Sequence, residues 1–192
     1  PGSYPLCSNS YLFKNENGKK FTEVTEQYGL TKTRGWWNSI AIADIDGDAD
    51  LDIVAGNLGL NSQLKASDTE PLALYSADFD NNKSIEAILC YYNQGKQWPW
   101  VRKEILVTQM PSINKKFVKF EKYAASSVEE VFGKDQLNKA SKLEATTLAS
   151  SIFINEKGKF KQQELPLLAQ VSPVNGIIVN DFNHDQITDL LI

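Results

Sequence analysis

The chain has 192 residues, 42% of them hydrophobic and 23% charged, with a formal net charge of −4. That is the composition of an ordinary soluble globular chain, long enough for one core or for part of a larger repeat protein. No basic tract or zinc-ligand spacing points to nucleic acid, and neither a signal peptide nor a transmembrane segment is read.

Two cysteines are present, Cys7 and Cys90. They could pair, but Cys90 falls in a predicted buried strand, where it reads as a small apolar residue. The first predicted element is a hairpin. Tyr11-Leu12-Phe13 and Lys20-Phe21-Thr22-Glu23-Val24 flank Asn15-Glu16-Asn17-Gly18-Lys19, and Asn-Gly between alternating apolar residues is a strong hairpin signal. Residues 29–35 form a loop before Trp36 and Trp37, at least one of which is expected in the core.

Next comes Asp44-Ile45-Asp46-Gly47-Asp48-Ala49-Asp50-Leu51-Asp52, with five aspartates at alternate positions. Such charges repel unless a cation sits among them. Carboxylates at the first, third and fifth positions can fold around one ion, and hard oxygen donors without Cys or His select calcium. The same offsets recur in Asp78-Phe79-Asp80-Asn81-Asn82-Lys83-Ser84-Ile85-Glu86 and in Asp181-Phe182-Asn183-His184-Asp185-Gln186-Ile187-Thr188-Asp189. The helix–loop–helix calcium motif is excluded, because it needs Gly at position 6 and Glu at position 12. Here position 6 is Ala49, Lys83 or Gln186, and position 12 is Ala55, Leu89 or Ile192. The flanks are short, apolar and partly β-branched, so the unit reads as strand, loop, strand.

Residues 56–70 form a connecting loop. Residues 72–77 and 85–92 are the strands of the second unit. The period then becomes helical: Val101, Ile105 and Met110 fall on one face before Pro111, and Phe117, Phe120 and Ala124 repeat the spacing. Ser127-Val128-Glu129-Glu130 reads as a capping box, Gly133 stops that helix, and residues 135–140 add another turn or two. This predicts a helical insertion over residues 98–143, with more Lys and Arg than Asp and Glu, best read as a solvated face. A second hairpin follows at residues 146–155 and 159–165. Its Ser151 to Asn155 and Gly158-Lys159-Phe160 echo Ser10 to Asn15 and Gly18 to Phe21, and an internal repeat implies an array. His184, the single histidine, reads as a solvated turn residue.

Asp-x-Asp-x-Asp-x-x-x-Asp between two apolar strands resembles the FG-GAP/VCBS repeat of integrin α-chain propellers and bacterial surface proteins. The resemblance covers residues 39–57, 72–92 and 174–192 and extends to the hairpins at residues 11–24 and 151–165. It implies a partial β-propeller, all-β, of about three blades or parts of blades, forming one segment over residues 1–192 interrupted by the helical insertion. It also implies the ligands. In the first loop these are the side chains of Asp44, Asp46, Asp48 and Asp52 with the carbonyl of Asp50. In the second they are Asp78, Asp80, Asn82 and Glu86 with the carbonyl of Ser84. In the third they are Asp181, Asn183, Asp185 and Asp189 with the carbonyl of Ile187. The family usually has Gly at loop position 6, and this chain does not.

The expected function is a calcium-binding repeat segment of a surface or secreted protein, extracytoplasmic because calcium is plentiful there, mediating adhesion or recognition without catalysis. The alternatives are part of a carbohydrate-active enzyme and a purely structural scaffold. No nucleophile elbow, phosphate loop or zinc motif is present. Tyr91, Tyr92, Trp98 and Trp100 form a candidate surface for a protein or glycan ligand, against the plainer reading that they anchor the helices. Because Leu190-Leu191-Ile192 ends within an expected strand, the chain reads as a piece of a longer polypeptide, with edge-to-edge self-association expected from open strands.

Overall fold

A computed structural model describes residues 10–192, and Cys7 lies outside them. In chain order, β1 (Phe13–Asn15) and β2 (Phe21–Glu23) form a hairpin, and β3 (Ser39–Ala43) and β4 (Asp52–Gly56) flank the first Asp-rich loop. β5 (Leu72–Ala77) and β6 (Glu86–Asn93) flank the second, followed by β7 (Lys96–Pro99). Five short helices come next: α1 (Lys103–Gln109), α2 (Ser112–Lys116), α3 (Phe120–Ala124), α4 (Val128–Phe132) and α5 (Lys134–Lys139). The chain continues through β8 (Ser141–Ala145), β9 (Ser151–Asn155), β10 (Phe160–Glu164), a 3-10 turn (Leu167–Gln170), β11 (Ile178–Asn180) and β12 (Asp189–Leu191). The fold is mostly β, with antiparallel sheets. Among the described residues no helix is long and apolar enough to cross a membrane.

The chain divides into two compact units, one made of residues 64–146 and the other of the residues before and after them. In the second of these, the sheet order is β10-β9-β4-β3. It is an antiparallel meander whose middle pair, β4 and β9, is joined in sequence only through residues 64–146. Ile53 lies opposite Phe153 and Val54 opposite Ile152. Phe153 is buried with Leu30 and Ala55, and Trp37 meets the Phe153 ring edge-on at 5.7 Å. Trp36 is buried as well, so both tryptophans serve the interior.

Buried amides secure the place where the meander is interrupted. The Asn57 side-chain oxygen accepts the N–H groups of Trp36 and Leu58, and its amide donates to the carbonyls of Thr147 and Ala149. Gln170 accepts from Ser150 N–H and donates to the carbonyls of Ser150 and Leu165. Every polar group of these two side chains is therefore matched, as burial requires. Gly56 ends β4 against Val174 and Ser39, where an added Cβ would collide. The hairpin echo is physical. Asn15 and Asn155 accept the N–H of Gly18 and Gly158 at 2.7 and 2.8 Å, and Asn17 and Lys157 take φ of +55° and +53°. The strand expected over residues 146–155 is shorter, because residues 146–150 form hydrogen bonds at the interruption instead.

In the 64–146 unit the sheet order is β7-β6-β5-β8. Ala73 opposite Cys90 and Tyr75 opposite Ile88 place four residues on one face. That face is covered by Leu106, Met110, Ile113, Phe117, Val128, Val131 and Leu137 from the helical region. Each fully buried apolar side chain of this size contributes about 1.5–3 kcal/mol. Cys90, on the covered sheet face, is buried among them, and burial pushes its thiol up to about 12.

The helical insertion expected over residues 98–143 is narrower. Its helices span residues 103–139, because Lys96–Pro99 pairs with β6 and Ser141–Ala145 with β5. The expected helical faces change too. Leu106 with Met110 and Ile113 with Phe117 are buried, whereas Ile105 and Phe120 are exposed. Phe117 is the cap residue just past the end of α2 and Phe120 begins α3, so their spacing has no common face. The capping box is present: Ser127 accepts Glu130 N–H, and the Glu130 carboxylate accepts Ser127 N–H at 2.7 Å. Gly133 ends α4 with φ of +85°, a region open to glycine.

Candidate metal centres

The three Asp-rich loops share one hydrogen-bond wiring. The carboxylate at position 1 (Asp44, Asp78, Asp181) accepts the N–H at position 6 (Ala49, Lys83, Gln186) at 2.8–3.0 Å. The side chain at position 3 (Asp46, Asp80, Asn183) accepts the N–H of position 5. Position 5 (Asp48, Asn82, Asp185) in turn accepts the N–H of position 7, which is Asp50, Ser84 or Ile187. The acid at position 9 (Asp52, Glu86, Asp189) accepts the N–H of position 2 and closes the loop.

This geometry requires left-handed backbone. Ala49, Lys83 and Gln186 take φ of +70°, +72° and +70°, so residues other than Gly bear the conformation the family usually gives to Gly. Position 4 is left-handed as well, at Gly47, Asn81 and His184. His184 is exposed at this turn, as its place in the sequence suggests.

The carboxylates of Asp44, Asp46 and Asp48 offer oxygens all within 4.8 Å of one another, and so do those of Asp78, Asp80 and Glu86. These are all-oxygen donor sets, matched to a hard cation such as calcium. Withdrawal from solvent and the repulsion of Asp48, Asp52 and Asp44 raise the Asp46 carboxyl above its ordinary range. Withdrawal from solvent also raises Glu86, with Asp80 and Asp78 adding repulsion and the Phe79 N–H opposing it. A cation placed here would supply the positive charge that these groups lack. In the third loop Asn183 replaces a carboxylate, and its amide donates to Asp185 at 3.0 Å.

Asp52, which the resemblance implies as a ligand, is held differently from Asp44, Asp46 and Asp48. It is fully buried and stands outside the Asp44, Asp46, Asp48 group. Its Oδ2 accepts Ile45 N–H and its Oδ1 accepts Asn155 N–H, both at 2.8 Å. Asn155 returns the contact by donating its side-chain amide to the Leu51 carbonyl. Asp52 thus pins the first loop to the turn between β9 and β10. Asn155 was visible in the sequence only as the counterpart of Asn15 in the repeated hairpin.

The aromatic group divides. Tyr91 lies opposite Trp98 across β6 and β7, and Trp100 meets Tyr91 edge-on at 5.6 Å. Tyr92 lies opposite Gln97 and faces the other way, beside the Ser127–Glu130 cap, because neighbouring strand residues point to opposite faces.

The raised carboxyls give a pH signature. With folded values above the ordinary 3.8 and 4.5 of Asp46 and Glu86, the folded chain binds more protons, and stability falls as pH rises through that window. In chelator, urea unfolding from pH 4 upward should show this fall for the parent chain and a smaller one for Glu86→Gln. An equal fall in both would remove Glu86 as a source. Glu130 acts in the opposite sense: its bonds to Ser127 lower it, and its contribution is lost as pH drops through the depressed value.

Residues 4–55 match the family model for the FG-GAP-like repeat. Searches of curated proteins and of solved structures gave no match. The matched span contains the first hairpin and the first wired loop, one of the three loops on which the resemblance rested. Over residues 4–55, then, this chain is similar to the FG-GAP-like repeat.

Proposed function

We propose that the chain is a calcium-stabilised β-propeller segment of a surface or secreted protein, serving recognition or adhesion and carrying out no chemistry of its own. The observation that carries the reading is the shared wiring of three loops, each with acids or amides at positions 1, 3, 5 and 9. Asp44, Asp46 and Asp48 would hold one ion, and Asp78, Asp80 and Glu86 a second. The third loop, whose Asp181, Asp185 and Asp189 are not drawn together in this way among the described residues, would bind more weakly. Weak multi-carboxylate sites fill where calcium is abundant, which favours an extracytoplasmic setting.

The strand order supports the propeller reading. The sheet β3-β4-β9-β10 is a four-stranded meander with the loop between its first two strands. By the repeat, β1–β2 corresponds to the last two strands of a preceding blade and β11–β12 to the first two of a following one. Ile40 and Ile42 are exposed on edge strand β3, a face suited to a neighbouring blade or a second copy.

Isothermal titration of the chelator-stripped chain with calcium tests the proposal. Two stronger sites and one weaker site are expected. Absence of binding at millimolar calcium would overturn it.

A further inference from the structure

The 64–146 unit carries a pocket of about 360 Å³, within the ~300–1,000 Å³ of small-ligand sites. Its walls include Tyr91, Trp98 and Trp100, with Arg102 and Glu104 at hand. We infer that this pocket binds a neutral sugar residue of a glycan, an inference that rests on the recognition role proposed above.

The rings supply platforms. Trp98 is held by its indole N–H, which donates to the Asn93 carbonyl, so its plane is set before any ligand arrives. Tyr91 and Trp100 meet edge to face, and Trp100 is left exposed beside the pocket. Sugar C–H faces pack on such rings, while sugar hydroxyls need both donors and acceptors around them.

The polar groups divide into spent and free. Lys103 is buried, donates to the Val118 carbonyl and sits 4.6 Å above the Phe120 ring. The Tyr123 hydroxyl donates to the Val101 carbonyl. Among the described residues, by contrast, the Arg102 guanidinium, the Glu104 carboxylate and the Trp100 indole N–H make no hydrogen bond or ion pair. With Lys103 engaged, the charged groups left to meet a ligand directly are one cation and one anion, in a pocket whose lining carries one extra positive charge. A fork of donors, an acceptor and a stacking surface match a hydroxyl-rich, uncharged pyranose.

The test uses the full chain in calcium, with tetrasaccharides of glucose, galactose, mannose and xylose as neutral probes and tetragalacturonate as the anionic one. Binding is read by tryptophan fluorescence and by saturation-transfer NMR. At least one neutral probe should bind, and Trp100→Ala and Arg102→Ala should each weaken it by about tenfold or more, as removal of Trp and Arg anchors does. Tyr92→Ala, on the opposite face, should leave it unchanged. No neutral probe binding, tighter binding of tetragalacturonate, or affinity untouched by both pocket variants would overturn the inference. Calcium titration of the same samples separates the two failures: a chain that binds calcium and no sugar loses this pocket and keeps the proposed metal sites.

Discussion

Calcium should raise the unfolding free energy of each unit that carries an occupied loop, and chelator should reverse it: at free calcium a hundred times the dissociation constant, one site would add ~2.7 kcal/mol. The cause is the gathering of carboxylates that otherwise repel. The first two loops lie in different units, so their contributions separate. Asp46→Ala should abolish the calcium-dependent increment of the unit containing β3 and β4, leaving that of the 64–146 unit intact. Glu86→Ala should remove less from its own unit. That second loop has fewer formal charges than the first, and Glu86 already accepts the Phe79 N–H. Thermal melting of the parent chain and both variants, with calcium and with chelator, measures this. Equal midpoints in the two solutions would show that the loops hold without metal.

Asp52→Ala behaves differently from every other loop substitution. It should destabilise by roughly 3–6 kcal/mol in calcium and in chelator alike, since two hydrogen bonds to a charged acceptor, at about 1.5–3 kcal/mol each, disappear together. The N–H groups of Ile45 and Asn155 lose their acceptor in a fully buried position. Asp52→Asn should recover only part of this, because an amide offers one oxygen where the carboxylate offers two. Urea unfolding in chelator isolates the effect. A loss below ~1 kcal/mol would show that the carboxylate is not the pin that its two contacts describe.

What the sequence made legible was local. Positions 1, 3, 5 and 9 of each loop bond one another within a nine-residue stretch, so their spacing carries the whole pattern. The Ser127–Glu130 cap and the Asn15 and Asn155 turns are equally short-range. The pairing of β4 with β9 was not legible, because alternation tells which face Ile53 and Phe153 occupy and says nothing of which strand lies beside them. The second use of Asp52 is hidden for the same reason. Tyr91 and Tyr92 differ: the strand period alone separates them, and treating them as one surface ignored it. Phe117 and Phe120 show the opposite error, a helical spacing read across the break between the end of α2 and the start of α3.

The interrupted meander bears on the order in which the molecule assembles. Bringing β4 to β9 through an unstructured chain would close a loop of roughly a hundred residues, a non-local contact of the kind that slows folding. Leu72 and Ala145, however, sit opposite each other in the β5–β8 pair. Once that pair has zipped, the long excursion behaves as two short tethers, and what remains to be closed is a small ring. Loop entropy grows only with the logarithm of length, so the thermodynamic gain is modest, about 0.6 kcal/mol per halving. The kinetic gain is larger, because the search for the β4–β9 register is confined to two tethers, residues 57–71 and 146–150. The hydrogen bonds from the Asn57 side chain to Thr147 and Ala149 span that same gap, so they can form only when the two halves of the meander have met.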